Sequence, residues 1–378
     1  MANRDLEWGL THLKVVLVHL GDSPAAHLWE NLRSLLSRFS NIEFVLVSDR
    51  EHSQAPINSR LSFFRYWRDQ ETQDALEGLA HDSKFRSGFW QLTLERFIAL
   101  EKYHAYNPSS KIIHIESDIL LLPNFPFEAF NTLPKLAWQR VDDTRDIASI
   151  LFLPSYHETA WFINEMLTLL HSNNGLTDMT LLNSIRVRNP KRINVLPSFS
   201  IDLDGKLHWN GELNGKLASE LSSDEEFFNG IFDPAAFGMW LGGSDPRNYY
   251  GRQILFDTSE ILSGGTYVNP ARYKYIFNEQ GQLFCLGKHS QTRIWSLHVH
   301  SKDLRLFGED WRERLALLVE FSDLGHKIIE FQFKSLLKLA ISNLRNRTFV
   351  SWILHIPKLK PILVIIRRLR SMIWPMRQ

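Results

Sequence analysis

The apolar positions of the chain fall into short, separated patterns. Lys14 to Gly21 (KVVLVHLG) is a β-branched apolar run closed by glycine, and it predicts a buried strand. GDSP follows, where Asp22 or Ser23 can cap a helix that starts at Pro24. Leu28, Leu32, Leu35, Leu36 and Phe39 then recur at helical spacing. Ile42 to Ser48 (IEFVLVS) predicts the next strand, with Asp49 at its end. Strand, helix and strand joined by short loops predict a right-handed βαβ unit in a parallel sheet. On such sheets ligands collect beyond the C-terminal strand ends, where Asp49 lies.

Further along, Trp90, Phe97, Leu100 and Tyr103 predict a helix over 90–106, ended by Pro108. Helices are also expected over 158–171 and 178–186. Asp202 to Gly230 is rich in Gly, Asp, Glu, Asn and Ser and predicts loops around short strands. Phe232 to Gly251 is dense in Gly and Pro, and Ile294 to His300 (IWSLHVH) predicts a short strand. No internal repeat is present.

One run breaks its own pattern. Lys111 to Pro126 (KIIHIESDILLLPNFP) carries Glu116 and Asp118 at its apolar centre. A carboxylate buried without a partner costs several kcal/mol or shifts its pKa until it is neutral. Residues i and i+2 of an extended chain point to one side, so both acids should converge on a positive group.

The 378 residues suffice for one large or two ordinary domains, and 44% hydrophobic with 22% charged content is globular. A net charge of +1 excludes a general nucleic-acid binder. It also hides an asymmetry. Beyond Glu330 there are ten Lys and Arg and no acid, which leaves −9 for the rest of the chain. An acidic body with a basic tail predicts an anionic surface as the tail's partner. Cys285 is the single cysteine, so an intrachain disulfide and a multi-cysteine zinc site are excluded. MANRDLEWGL lacks the apolar core of a signal peptide, and no apolar run reaches the ~20 residues of a membrane span. A cytoplasmic protein is expected.

The Glu116-Ser117-Asp118 triplet could give two oxygen ligands to Mn²⁺ or Mg²⁺, whose shell substrate phosphates complete. The competing account is a strand-end pair satisfied by Lys, Arg or backbone N–H groups. In LHVHSK (Leu297 to Lys302), His298 and His300 face one way and Leu297 and Val299 the other. Neutral imidazole is a good Mn²⁺ ligand, and Lys302 is a point charge suited to a diphosphate. Hydrogen-bonded core histidines would give the same pattern. The dicarboxylate and the HxH pair taken together favour a metal–diphosphate site.

These features, in this order, resemble the GT-A fold of nucleotide-sugar glycosyltransferases, whose DxD motif holds a divalent ion against the donor diphosphate. Here Glu116 takes the first acidic slot. TDMTLLN (Thr177 to Asn183) resembles the DQxxLN segment of the glycogenin-like and lipopolysaccharide galactosyltransferase family, with Met179 in place of Gln. HVHSK is similar to that family's C-terminal His, Gly, Lys segment but is shorter and lacks the Gly, so either His298 or His300 is the ligand. FRSGFWQLTLERF, HIESDILLLPNFP, FDPAAFGMWLGGSDPRN and LHVHSKDLRLF are similar to bacterial glycosyltransferase-like proteins, and they are spread over most of 14–307.

The resemblance implies an α/β GT-A domain over 12–310 with a mixed, mostly parallel sheet. Its nucleotide-binding half would be 12–126 and its donor-sugar and acceptor half 127–310, followed by a helical basic tail over 311–378. It implies Glu116, Asp118 and one of His298 and His300 on the metal, Lys302 at the leaving group, Asp49 at the nucleoside, and Asp178 and Asn183 at the donor. Arg96 could reach the donor phosphates or base, or pair with Glu95 or another surface acid. Asp233, Asp245 and Arg247 would line a loop rim, where Gly242 and Gly243 allow close approach and Trp240 offers an aromatic face to a sugar. Trp209 and Trp295 are expected in the core. Asp178, Asp233 and Asp245 are the candidates for a catalytic base.

The tail, LKPILVIIRRLRSMIWPM, mixes apolar residues with clustered Arg as an interfacial helix does. The expectation is a glycosyltransferase peripheral on the inner face of a membrane. It would take a nucleotide-sugar donor and a glycan or glycolipid acceptor, with no nucleic acid. The alternatives are a sugar-nucleotide pyrophosphorylase, a metal-dependent hydrolase using the HxH pair, and a membrane-surface scaffold without activity. HLGDSP lacks the Gly-rich basic loop that the first of these requires.

Overall fold

A computed structural model of the chain describes residues 12–21, 25–77, 79, 85, 88–200, 215–245, 267–268, 270, 273–287 and 291–322. The chain divides into two compact units, Met1–Gly325 and His326–Gln378. The second unit, the expected interfacial segment, Arg247, Trp209 and the GDSP cap (Asp22, Ser23, Pro24) lie outside the described residues.

The strands of the main sheet are β1 (Leu13–His19), β2 (Glu43–Ser48), β3 (Leu61–Arg65), β4 (Lys111–Ile115), β6 (Leu136–Arg140), β7 (Asp146–Leu153) and β8 (Ile193–Val195). They lie in the order β3-β2-β1-β4-β7-β6-β8. β3, β2, β1 and β4 pair in parallel, as do β6 and β8, and β7 alone runs against its neighbours. The fold is therefore α/β with a mixed, mostly parallel sheet.

Such a sheet needs cover on both faces, and the strand sequences provide for it. Val15, Leu17, Phe44, Leu46, Ile113 and Ile115 join the Ala26–Arg38 helix in one core through Trp29, Leu32 and Leu35. Val16, Val45, Val47 and Ile112 face the other way. They pack on the Phe89–Tyr106, Tyr156–Ser172 and Asp178–Arg188 helices through Phe97, Phe162 and Leu181. These four helices confirm the periodicities at 28–39, 90–106, 158–171 and 178–186, each within a few residues.

The acidic run departs from expectation. It is not one extended strand. β4 ends at Ile115, a turn closes with the Ile119 N–H donating to the Glu116 carbonyl at 3.1 Å, and β5 (Ile119–Leu121) leaves the sheet. β5 pairs antiparallel with β12 (Ser296–His298), which sets His298 opposite Ile119. The acids thus converge because the chain turns a corner between two strands.

Three other expectations change. 294–300 is split: β11 (Gln291–Ile294) belongs to a small antiparallel sheet with β9 (Lys274–Phe277) and β10 (Leu283–Leu286), Trp295 intervenes, and β12 follows. Residues 215–228, expected in loops around strands, form the helices Gly215–Ser222 and Glu225–Phe228. Within the Gly- and Pro-rich segment lies a helix, Phe237–Gly242, that holds Gly242. Residues 311–322 are helical and bury Trp311, Leu315 and Leu318. No helix among the described residues is long and apolar enough to cross a membrane.

Candidate functional site

The corner after β4 gathers charged side chains from four distant segments. Arg96, on the Phe89–Tyr106 helix, donates to Glu116 through Nη1 and to Asp178 Oδ2 through Nη2, the latter at 2.7 Å. Asp178 is the first residue of its helix, which Thr177 caps by accepting the Thr180 N–H. Glu95 takes no part, because it is held by Arg68 and the Tyr66 hydroxyl on the other side of the helix. Arg96 thus pairs with neither Glu95 nor a surface acid but with two largely buried carboxylates.

β12 brings the second half of the cluster. His298 Nε2 lies 3.2 Å from Asp118 Oδ2 and 3.6 Å from Glu116 Oε2. The Val299 N–H donates to the Asp118 carbonyl at 2.9 Å and ties the two segments together. Lys302 adopts a left-handed backbone (φ 54°), and its ammonium rests against Asp118. The His300 ring stacks on His298 with centroids 4.1 Å apart. His298 Nδ1 and His300 Nε2 are buried and have no hydrogen-bond partner among the described residues.

Burial and charge set the protonation states. Burial pushes Glu116 upward, but the Arg96 guanidinium and His298 overcome it and hold its carboxyl down at about 2. Asp178 is raised, by burial first; Arg96 opposes that and the Glu116 charge adds to it. Burial lowers His298, while Glu116 and Asp233 work against the shift. His300 falls to about 3 through burial and its neighbour His298. At neutral pH the imidazoles are uncharged and Glu116 is ionised, as cation ligands must be.

The remaining predicted residues sit as follows. Asp49, half-buried at the end of β2, accepts the Gly21 N–H at 3.2 Å and pairs with Arg50. Beside it a cleft of about 440 Å³ opens between the ends of β2 and β3, lined by Ser48, His52, Phe63 and Arg65. Asp245 is buried and near enough for its charge to act on His300. Asn183 lies five residues beyond Asp178 on the same helix, away from the acids, and donates to Asp146. Asp233 is fully buried, which raises its pKa, and accepts four backbone N–H bonds, which oppose that shift and engage both oxygens within the fold. Trp240 is also fully buried, so it offers no face to a sugar; the aromatic ring serves the core. Trp295 is in the core as expected.

Two residues that sequence reasoning missed hold the acidic corner from beneath. Asn31 Nδ2 donates to the carbonyls of Ser117 and Ile119, at 3.0 and 2.9 Å. His27 Nε2 meets Ser117 Oγ at 3.2 Å. The signal for Asn31 was available: it lies three residues after Leu28 and four before Leu35, a polar side chain on an otherwise apolar helix stripe.

Glu116, Asp118 and His298 each offer one ligand atom, and these atoms lie within 4.8 Å of one another. Two carboxylate oxygens and a neutral imidazole suit Mn²⁺ or Mg²⁺. The set therefore fits a divalent cation, and of the two histidines it is His298 that stands with the acids. The competing account is realised in part, since Arg96 and Lys302 already oppose both carboxylates.

No family model matches the sequence, and no curated protein matches it. Among solved structures, the galactosyltransferase LgtC in complex with donor and acceptor sugar analogues is similar at 12% identity and a TM-score of 0.33, over 46% of this chain and 70% of that one. The apo form of the glycosyltransferase GlyE from Streptococcus pneumoniae TIGR4 is similar at 13% identity and 0.33, over 48% and 44%. A glycosyltransferase involved in glycosylating the major capsid of PBCV-1 is similar at 12% and 0.31, over 48% and 80%.

Proposed function

We propose that the chain is a divalent-metal-dependent glycosyltransferase of GT-A fold. It moves a sugar from a nucleotide-sugar donor to a glycan or glycolipid acceptor in cell-surface polysaccharide or lipopolysaccharide synthesis. The observation that carries the reading is the meeting of Glu116, Asp118 and His298 at the C-terminal end of β4, with Lys302 on the same carboxylate. This is the end of a parallel strand at which ligands bind.

Glu116, Asp118 and His298 hold the cation, which when bound supplies Lewis-acid stabilisation of charge on the leaving diphosphate. Lys302 brings an ammonium for the diphosphate oxygens, and Arg96 fixes Glu116 and Asp178 relative to each other. Asp49 and the cleft beside it receive the nucleoside. The donor's C1–O bond breaks with its electron pair leaving on the diphosphate. The acceptor oxygen bonds to C1, and its proton passes to a carboxylate, Asp178 or Asp245. The catalytic domain takes in the buried helix over 311–322, beyond the expected boundary at 310, and the basic segment after Glu330 rests on an anionic membrane surface at the cytoplasmic face.

The test is nucleoside diphosphate release from UDP-, GDP-, ADP- and dTDP-sugars with Mn²⁺, Mg²⁺ or EDTA, beside Asp118→Ala. Release from one donor that needs metal and Asp118 supports the proposal and names the donor class. No release from any donor, with no metal-dependent nucleotide binding, would sink it in favour of a membrane-surface scaffold.

A further inference from the structure

We infer that Asp233 and Gly238 are positioning residues whose task is to fix His298 in the cluster. The inference rests on the reading of His298 as a cation ligand and explains why FDPAAFG runs into the helix Phe237–Gly242.

Asp233 is fully buried. Its Oδ1 accepts the N–H groups of Ala236 and Phe237 at 2.7 and 2.8 Å, and its Oδ2 accepts those of Gly238 and His298 at 2.7 and 2.8 Å. One carboxylate oxygen thus joins the helix to β12 at His298 itself. The donors are backbone groups and the acceptor is a carboxylate that engages both oxygens. The intervening turn passes through Ala235 at φ 71°. A left-handed alanine is strained, and it persists only where the surroundings demand it.

Gly238 leaves no space at the contact. A Cβ there would lie 2.2 Å from the His298 carbonyl oxygen, 2.6 Å from its carbon and 2.8 Å from its nitrogen. All three are backbone atoms, so a methyl group cannot be accommodated by turning a side chain. The helix cannot retreat cheaply either, because Phe237 and Trp240 are fully buried. On its far side β12 is held to the acidic corner by the Val299 bond to Asp118. His298 is therefore gripped between Asp233 and Asp118, and its Nε2 reaches both acids only while that grip holds. Gly242, on the same helix, differs. A Cβ there meets Leu306, Ser301 and Val299 side-chain atoms at 3.5 Å or more, which are ordinary contacts.

The experiment compares Gly238→Ala, Asp233→Asn and Gly242→Ala with the full-length wild type. Two readouts are taken: His298 carbethoxylation by diethyl pyrocarbonate, mapped by mass spectrometry, and Mn²⁺ affinity by calorimetry. His298 is 6% exposed, so it should react slowly in the wild type and in Gly242→Ala. In Gly238→Ala and Asp233→Asn its reactivity should rise, and Mn²⁺ affinity should fall roughly 10–100-fold, as loss of groups that orient a ligand does. In a His298→Ala background, adding Gly238→Ala should lower Mn²⁺ affinity no further. Wild-type reactivity of His298 in a folded Gly238→Ala or Asp233→Asn overturns the inference, as does additive loss in the double variant. If Gly238→Ala fails to fold, Asp233→Asn decides. Failure of the wild type to bind Mn²⁺ would remove the metal reading, and carbethoxylation alone would still pass or fail the positioning of His298.

Discussion

Two buried clusters of acid and arginine stand on neighbouring parts of this sheet, and they are built to different ends. In the first, Asp146 on β7 is fully buried and receives the Trp138 indole N–H, the Asn183 amide and two N–H groups of Arg186. Arg186 turns its remaining arm to Glu220, which Arg140 also holds. In the second, Glu116 and Asp118 face a neutral histidine and two cations, with two imidazole nitrogens left unpartnered among the described residues. A satisfied network fixes structure, whereas one with converging, half-used ligands has capacity for something more. Both clusters draw on the same helix. Asn183 serves the first and Asp178 the second, so the TDMTLLN segment is divided between scaffold and site.

The largest expected effect falls on the scaffold. Asp146→Ala takes from the buried Arg186 guanidinium the partner of two of its N–H groups and should cost about 3–5 kcal/mol in urea unfolding; a loss under ~1 kcal/mol would erase the distinction drawn between the clusters. Asp118→Ala should do the reverse. On the proposed reading, metal-dependent diphosphate release should fall roughly 10²–10³-fold, while stability changes by less than ~1 kcal/mol if the acid serves the ligand and not the fold. If Asp118→Ala instead unfolds the protein with activity per folded molecule intact, the second cluster is scaffold as well.

Asn31→Ala lies between these cases. It removes two hydrogen bonds under the acidic corner and should cost about 2 kcal/mol. Mn²⁺ affinity should weaken with it, and unchanged affinity would show that the corner keeps its shape without that support.

The smallest effect is on pH dependence. Burial and the nearby Arg96 charge lower His114 from 6.5 to about 3. As pH falls, the unfolded chain takes up this proton first. The stability from His114 is therefore complete above about 6.5 and is lost between there and about 3. Glu116, depressed from 4.5 to about 2, adds a loss between those values, and Asp178, raised, acts in the opposite sense. His114→Gln should flatten the decline in urea midpoint below pH 6.5, and an unaltered slope would contradict the assignment.

Much of this was legible in the sequence, for local reasons. β1, the helix after it, β2 and the three helices of the opposite face follow from periodicity, because each buries a continuous stripe or both faces of a strand. The acids and HVHSK were visible as charges that an apolar setting does not tolerate without partners. What was not legible depends on contacts far apart in sequence. The pairing of β5 with β12 joins residues more than 170 positions apart, and nothing in either three-residue strand announces the other. β7 reads as apolar, but its reversed direction comes from the sheet and not from its residues. Asp233 looked like a rim acid because a cap and a base are the same residue type, separated only by how many N–H groups point at them. Trp240 misled for a similar reason, since an indole packs a core as readily as it faces a sugar.

The central claim is that the corner after β4 binds a nucleoside diphosphate through a divalent cation. The most direct measurement is calorimetric titration of UDP, GDP, ADP and dTDP into wild type and Asp118→Ala, each with Mn²⁺ and with EDTA. The account predicts that one diphosphate binds the wild type in Mn²⁺, and that EDTA or the loss of Asp118 abolishes binding. Equal affinity in Mn²⁺ and EDTA, or binding indifferent to Asp118, would contradict it.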